Sequence, residues 1–189
     1  MRITGGKFRG RTLATPTDKR VRPTADRARQ AVFNILEHRD FGFPFALEGA
    51  AAIDLFAGTG ALGLEALSRG ARFCLFVDDD ADSRALVREN VEALGLTGAA
   101  KIWRRDATRL GPLNTGSGGP FGLAFLDPPY RKGLAAQALQ SLLGGGWLAP
   151  QALLVVETAH DETLDAPGFT LLDARDYGEA TVRLLTPAE

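Results

Sequence analysis

The chain has 189 residues, 45% of them apolar and 24% charged, a balance that suits one soluble domain able to bury its own core. MRITGGKFRGR lacks the apolar stretch of a leader, and nothing approaches the roughly 18 uninterrupted apolar residues of a membrane span. The net charge of −1 conceals an asymmetry: residues 1–40 carry ten Lys/Arg against four acids, a net +6, and the remaining 149 residues sum to −7. A basic segment on an acidic body is a candidate footprint for a polyanion, although a solvated arm would have the same composition. The lone cysteine, Cys74 within FCLFV, excludes a disulfide framework and reads as a packed core thiol, and two distant histidines, His38 and His160, give no His/Cys metal constellation. A cytoplasmic protein with no metal and no membrane partner is expected.

In chain order, RITGGKFRGRTLATP reads as a short basic hairpin with a glycine-containing turn. Thr24 is a suitable N-cap for an amphipathic helix over 24–38, in which Ala28, Ala31, Val32, Ile35 and Leu36 recur at helical spacing. FGFPFALEGA follows as a linker. Strand and helix then alternate: strands at 51–56, 72–78, 100–105, 122–127 and 152–158, and helices over 60–69, 81–94 and about 133–143. Two further strands are expected at 169–174 and 180–186, and with no helix between them one antiparallel pairing is expected at an edge. This order implies an α/β fold, a mostly parallel sheet with helices on both faces whose ligands bind beyond the carboxyl ends of the strands.

DLFAGTGALGLEAL carries Gly58, Gly60 and Gly63 where the first strand hands over to its helix, a G-x-G-x-x-G pattern that alone is weak evidence for a nucleotide cofactor. Asp54, four residues before the first glycine, discriminates. A carboxylate there would repel a pyrophosphate but favour an ammonium or sulfonium, which suits S-adenosylmethionine. A cap on the loop's own N–H groups is equally compatible with Asp54. Asp78 ends the second strand twenty residues after Gly58, the distance at which an acid reaches ribose hydroxyls. Asp79 and Asp80 follow it, so which of the three points inward stays open. Asp106 ends the third strand, where an acid or its neighbouring backbone can take an adenine amine.

The fourth strand ends in Asp127-Pro128-Pro129-Tyr130, beside the first strand at the switch point of such a sheet. Prolines remove backbone donors and fix φ, so acceptors there are held rigidly. Methylation of an exocyclic amine needs that: its lone pair is delocalised into the ring. Asp127 and the Pro128 carbonyl can accept its two hydrogens and favour the pyramidal, attacking nitrogen. Tyr130 offers a face for the base to stack on.

Together these motifs resemble the class I S-adenosylmethionine-dependent amino-methyltransferases. RITGGKFRGRTL and RPTADRARQAVFNIL narrow the resemblance to the bacterial 16S ribosomal RNA guanine-N2 methyltransferases that act on guanine 966, and it extends through GGWLAPQALLVVE and RDYGEATVRLL. The resemblance implies a Rossmann-like class I methyltransferase fold over 41–189 with an RNA-binding extension over 1–40. It also implies cofactor contacts at Asp54, Gly58, Gly60, Asp78 and Asp106, with Phe56, Thr59, Asp79 and Ala107 beside them, and catalysis at Asp127, Pro128, Pro129 and Tyr130. Relatives often carry glutamate where this chain has Asp78 and Gln30. Arg9, Arg11, Arg20 and Arg22, preceding the helix, and Arg131 after the tyrosine are the candidate RNA contacts. The expected partner is 16S ribosomal RNA within a small-subunit assembly intermediate, and a monomer is expected. A DNA amino-methyltransferase would share the active site but lacks a visible domain for reading duplex sequence. A non-catalytic assembly factor would not need an intact DPPY, and an NAD-dependent oxidoreductase rests on the glycine pattern alone.

Overall fold

In the computed structural model, residues 1–17 and 23–189 are described. The runs that are apolar on both alternations became the middle of a sheet, because strands covered by helices on both faces have no wet side. β1 (Ala51–Leu55), β2 (Phe73–Val77), β3 (Ala100–Trp103), β4 (Phe121–Leu126) and β5 (Leu148–Ala159) run parallel. β6 (Phe169–Tyr177) and β7 (Ala180–Pro187) complete a seven-stranded sheet in the order β3-β2-β1-β4-β5-β7-β6. β7 is antiparallel to both neighbours and β6 forms the edge, so the expected antiparallel pairing lies at that side of the sheet.

Helices α1 (Pro23–His38), α2 (Ala61–Ser68), α3 (Ala81–Ala93) and α4 (Leu134–Gly144) cover it. Alternate residues of each strand enter different cores. Ala52, Cys74, Phe76 and Phe125 pack with Phe33 of α1, Leu64 of α2 and Val87 of α3. Ile53, Leu75, Val77 and Leu126 pack with Leu139 and Leu142 of α4 and with Trp147. No helix among the described residues is long and apolar enough to cross a membrane.

Several boundaries differ from those read in the sequence. α1 begins at Pro23, whose fixed φ suits a first helical position, so Thr24 lies inside the helix and is not its cap. β3 stops at Trp103, leaving Arg104 and Arg105 in the exit loop. β5 begins four residues early, at Leu148, since the buried Trp147 stacks on Phe121 at 6.3 Å and donates its indole N–H to the Gly111 carbonyl at 2.7 Å. Phe41, Phe43 and Phe45 of the expected linker form a ring cluster packed on the core.

Residues 1–14 form a strap over α2 and α3 with a single antiparallel bridge, Arg2 to Thr12. Ile3 and Leu13 are buried in the same core as α1 and the sheet. Glu65, wholly buried on α2, accepts the Thr4 N–H at 3.0 Å and pairs with Arg69 at 3.3 Å and Arg29 at 3.9 Å. Ser68 accepts the Phe8 N–H and donates to the Gly5 carbonyl. Farther along, the Asn90 amide of α3 accepts the Ala14 N–H at 2.7 Å and donates to the carbonyls of Ala14 and Thr59. Gly6 is required here, at φ +77 and with a would-be β-carbon only 2.0 Å from the Ser68 oxygen. Gly5 and Gly6 thus let the strap's backbone press on α2.

Candidate active site

β1 delivers Asp54 to the face of the sheet covered by α2, where it is 1% exposed and accepts the Gly63 N–H at 3.0 Å. Burial pushes its carboxyl from 3.8 up to about 8; the Gly63 bond opposes this and the Asp78 charge adds to it. A carboxyl that keeps its proton to about 8 when folded, but loses it near 3.8 when unfolded, binds more protons in the folded state across that interval. Its contribution to stability therefore falls as pH rises from about 4 to about 8. Heat denaturation across that window should show the parent losing stability relative to Asp54→Asn; parallel pH profiles would refute the assignment.

The loop after β1 is left-handed at Phe56 (φ 56°), Gly58 (φ 59°) and Gly60 (φ 82°). A β-carbon at Gly58 would meet nothing closer than the Phe56 oxygen at 3.9 Å, so the loop presents open backbone at that point. Asp78, at the end of β2, ties this loop down: one carboxylate oxygen accepts the Gly58 N–H at 3.0 Å and the other the Asp80 N–H at 3.0 Å. Asp80 caps α3 through the Ser83 N–H at 2.8 Å, a bond that holds its carboxyl below the usual range. Asp79 is exposed. The three acids left unsorted by sequence thus have different placements.

A shallow open cavity lies between Phe56, Val77, Asp78 and Asp79 on one side and Arg105, Asp106 and Ala107 on the other. One carboxylate oxygen of Asp106 accepts both the Thr108 hydroxyl at 2.7 Å and the Thr108 N–H at 2.9 Å, and these bonds hold its carboxyl low. Arg105 lies over the Trp103 ring at 4.9 Å and donates to the Leu110 carbonyl.

Leu55 of β1 and Leu126 of β4 are register partners, so the glycine loop and Asp127 leave adjacent strand ends. Asp127 and Pro129 are exposed, Pro128 is buried and Tyr130 half-buried. The Tyr130 hydroxyl donates to Glu157 of β5. Burial first, then that bond, drive the phenol pKa upward. Arg131, at φ +61, donates its N–H to Glu162 at 3.0 Å and pairs through its guanidinium with Asp161 at 2.8 Å.

The fold therefore gathers Phe56, Asp78, Asp79, Asp106 and Ala107 around one cavity and sets Asp127–Tyr130 at the neighbouring strand end. Thr59 faces the strap, with its carbonyl bonded to Asn90. Of the basic residues, Arg9 is exposed on the strap, while Arg11 donates to the Ala93 carbonyl at the end of α3 at 2.9 Å. Arg20 and Arg22 lie outside the described residues. Sequence reasoning passed over Glu157, although an acid ending an apolar run, the signal that singled out Asp78 and Asp127, marks it in ALLVVE. Glu65, Asn90 and Glu162 carry no such signal.

Residues 1–186 match the family described as conserved hypothetical protein 95. The chain is 39% identical over 159 residues to ribosomal RNA small subunit methyltransferase D of Escherichia coli strain K12, a match covering 84% of this chain and 74% of that protein. It is 35% identical over 187 residues to the protein of the same name from Haemophilus influenzae, covering 97% and 92% of the two chains. The solved structure of yhhF from Escherichia coli, a candidate methyltransferase, superposes with a TM-score of 0.80 at 31% identity, over 99% of this chain and 97% of that one.

Proposed function

This chain belongs to the family of ribosomal RNA small subunit methyltransferase D and has the class I methyltransferase fold, and on that premise we propose that it methylates the N2 amine of a guanine in 16S ribosomal RNA, using S-adenosylmethionine. The observation that carries this reading is the pairing of Leu55 with Leu126, which puts Asp127-Pro128-Pro129-Tyr130 beside the glycine loop.

The residues fit the cofactor. Asp78, Asp79 and Asp106 crowd carboxylates around the loop and cavity, an environment hostile to a pyrophosphate and favourable to a cation, while the buried, protonated Asp54 braces the start of α2 through the Gly63 N–H. When bound, S-adenosylmethionine supplies an electrophilic methyl group on a sulfonium. Asp78 or Asp79 would take ribose hydroxyls, and Asp106 or the Ala107 backbone the adenine. Phe56 and Ala107 give the cavity apolar surface.

Asp127 and the Pro128 carbonyl accept the amine hydrogens and favour the tetrahedral nitrogen, with the prolines keeping both acceptors aimed. Tyr130 stacks on the base. Transfer is direct: Cys74 is fully buried in β2 and burial raises its thiol pKa, so it is not available as a nucleophile. The test is transfer of labelled methyl from S-adenosylmethionine to protein-free 16S RNA and to partly assembled small subunits from cells lacking the enzyme, followed by mapping. Label at a guanine N2 is expected; label on an adenine or cytosine amine, or none on either substrate, would refute the reading.

The strap's cations would bind phosphate and contribute affinity without chemistry. Arg9→Ala should reduce the slope of log affinity against log salt by about 0.7–0.9. Arg11→Ala should change it less, since that guanidinium is directed to the Ala93 carbonyl. An unchanged slope and affinity in Arg9→Ala would return the strap to a purely structural part.

A further inference from the structure

Two prolines make the backbone before Tyr130 rigid, but they do not fix the tyrosine side chain. A stacking ring is useful only if its plane is set before the base arrives, because a freely turning ring would surrender that freedom on binding. After Tyr130 the chain is pinned: Arg131 sits in the left-handed region, uncommon for a residue with a β-carbon, with its N–H on the Glu162 carboxylate. Glu162 is itself held, its carboxylate by the Ala159 N–H at 3.2 Å and its carbonyl by Arg183 of β7 at 3.1 Å. The freedom that remains is rotation of the Tyr130 side chain, and the hydroxyl's bond to Glu157 removes it.

Glu157 is well placed for this. Val156 of β5 is the register partner of Leu126, so Glu157 and Asp127 stand one step beyond a paired position on neighbouring strands. Glu157 also pairs in register with Val182 of β7, which anchors its backbone from the other side. The phenol resists ionisation, so the bond is a fixed O–H to carboxylate contact and no proton needs to move along it.

We propose that Glu157 is a positioning residue of the methyl-transfer site, holding the Tyr130 ring in the plane on which the target base stacks. This rests on the functional reading above. It assigns a role to a side chain that touches neither the cofactor cavity nor the reacting amine.

The experiment is a double-mutant cycle on full-length protein, read as kcat/KM for methyl transfer to partly assembled small subunits. Glu157→Leu should lose about tenfold, and Glu157→Gln, which keeps an acceptor, should stay within about threefold of the parent. In a Tyr130→Phe background, Glu157→Leu should cost nothing further. Cofactor affinity by calorimetry should be the same throughout. A substrate-free readout accompanies the cycle: Tyr130 and Tyr177 are the two tyrosines, so fluorotyrosine labelling of Tyr177→Phe protein gives one fluorine signal. It should be displaced from the free-tyrosine position in the parent and move toward it in Glu157→Leu. Equal losses with and without the Tyr130 hydroxyl, or a parent signal already at the free position, would overturn the role of Glu157 and leave the methyltransferase reading intact. Absence of transfer by the parent on every RNA substrate would overturn that reading, and the role of Glu157 with it.

Discussion

Single-turnover methyl transfer is expected to slow by about 10²–10³-fold in Asp127→Ala, with cofactor affinity unchanged. Asp127 is exposed at the end of β4, beyond the last paired residue, Leu126, so its removal leaves no hole in the sheet. Its acceptor matters most as the amine pyramidalises, when charge builds on nitrogen and a hydrogen must leave. A loss confined to the chemical step separates this from a binding defect. Asp127→Asn should lie between the two, since the amide keeps one acceptor but no charge. A near-normal rate in Asp127→Ala would remove the carboxylate from the mechanism and leave the Pro128 carbonyl as the acceptor.

The second large effect concerns stability. Glu65 has no exposure and is shared by Thr4, Arg29 and Arg69, whose guanidinium side chains are only 5% and 4% exposed. Removing one partner of a buried ionic cluster typically costs about 3–5 kcal/mol, because the remaining charges stay desolvated. Asp26 and Glu37 still serve the two arginines at 3.1 Å each, which puts Glu65→Ala at the lower end, about 3 kcal/mol. For a chain of this size the midpoint of thermal unfolding should drop by about 10 °C. Proteolysis should release the strap before the sheet opens. A loss below about 1 kcal/mol would show that burial of Ile3 and Leu13 holds the strap by itself.

Much of the fold was legible because its signals are local. β1, β2 and β4 are short apolar runs bounded by turn residues, and the acids that end them mark the edge where ligands bind. What was not legible depends on partners distant in sequence. Asp78, Asp79 and Asp80 cannot be told apart until it is known that Ser83 donates to Asp80 and Gly58 to Asp78. Gly5 and Gly6 look like features of a nucleic-acid arm until the end of α2 is found against them. Arg11 and Arg131 look like free cations, yet one is directed to a helix carbonyl and the other paired with Asp161. Glu157 was visible as a strand-end acid, but its relation to Tyr130 exists only once β5 lies beside β4.

The strap also sets an order of events during synthesis. Thr4 bonds to Glu65, 61 residues later, and Ala14 to Asn90, 76 residues later. At roughly 5–20 residues per second, a ribosome needs about 4–15 s after making Ala14 to produce the amide that receives it. The strap therefore waits for partners made well after it, and it closes long loops to reach them. Through that interval Ile3 and Leu13 have no core to enter. Arg2, Lys7, Arg9 and Arg11, the cations interspersed around them, keep the waiting segment hydrated and apart from its own kind.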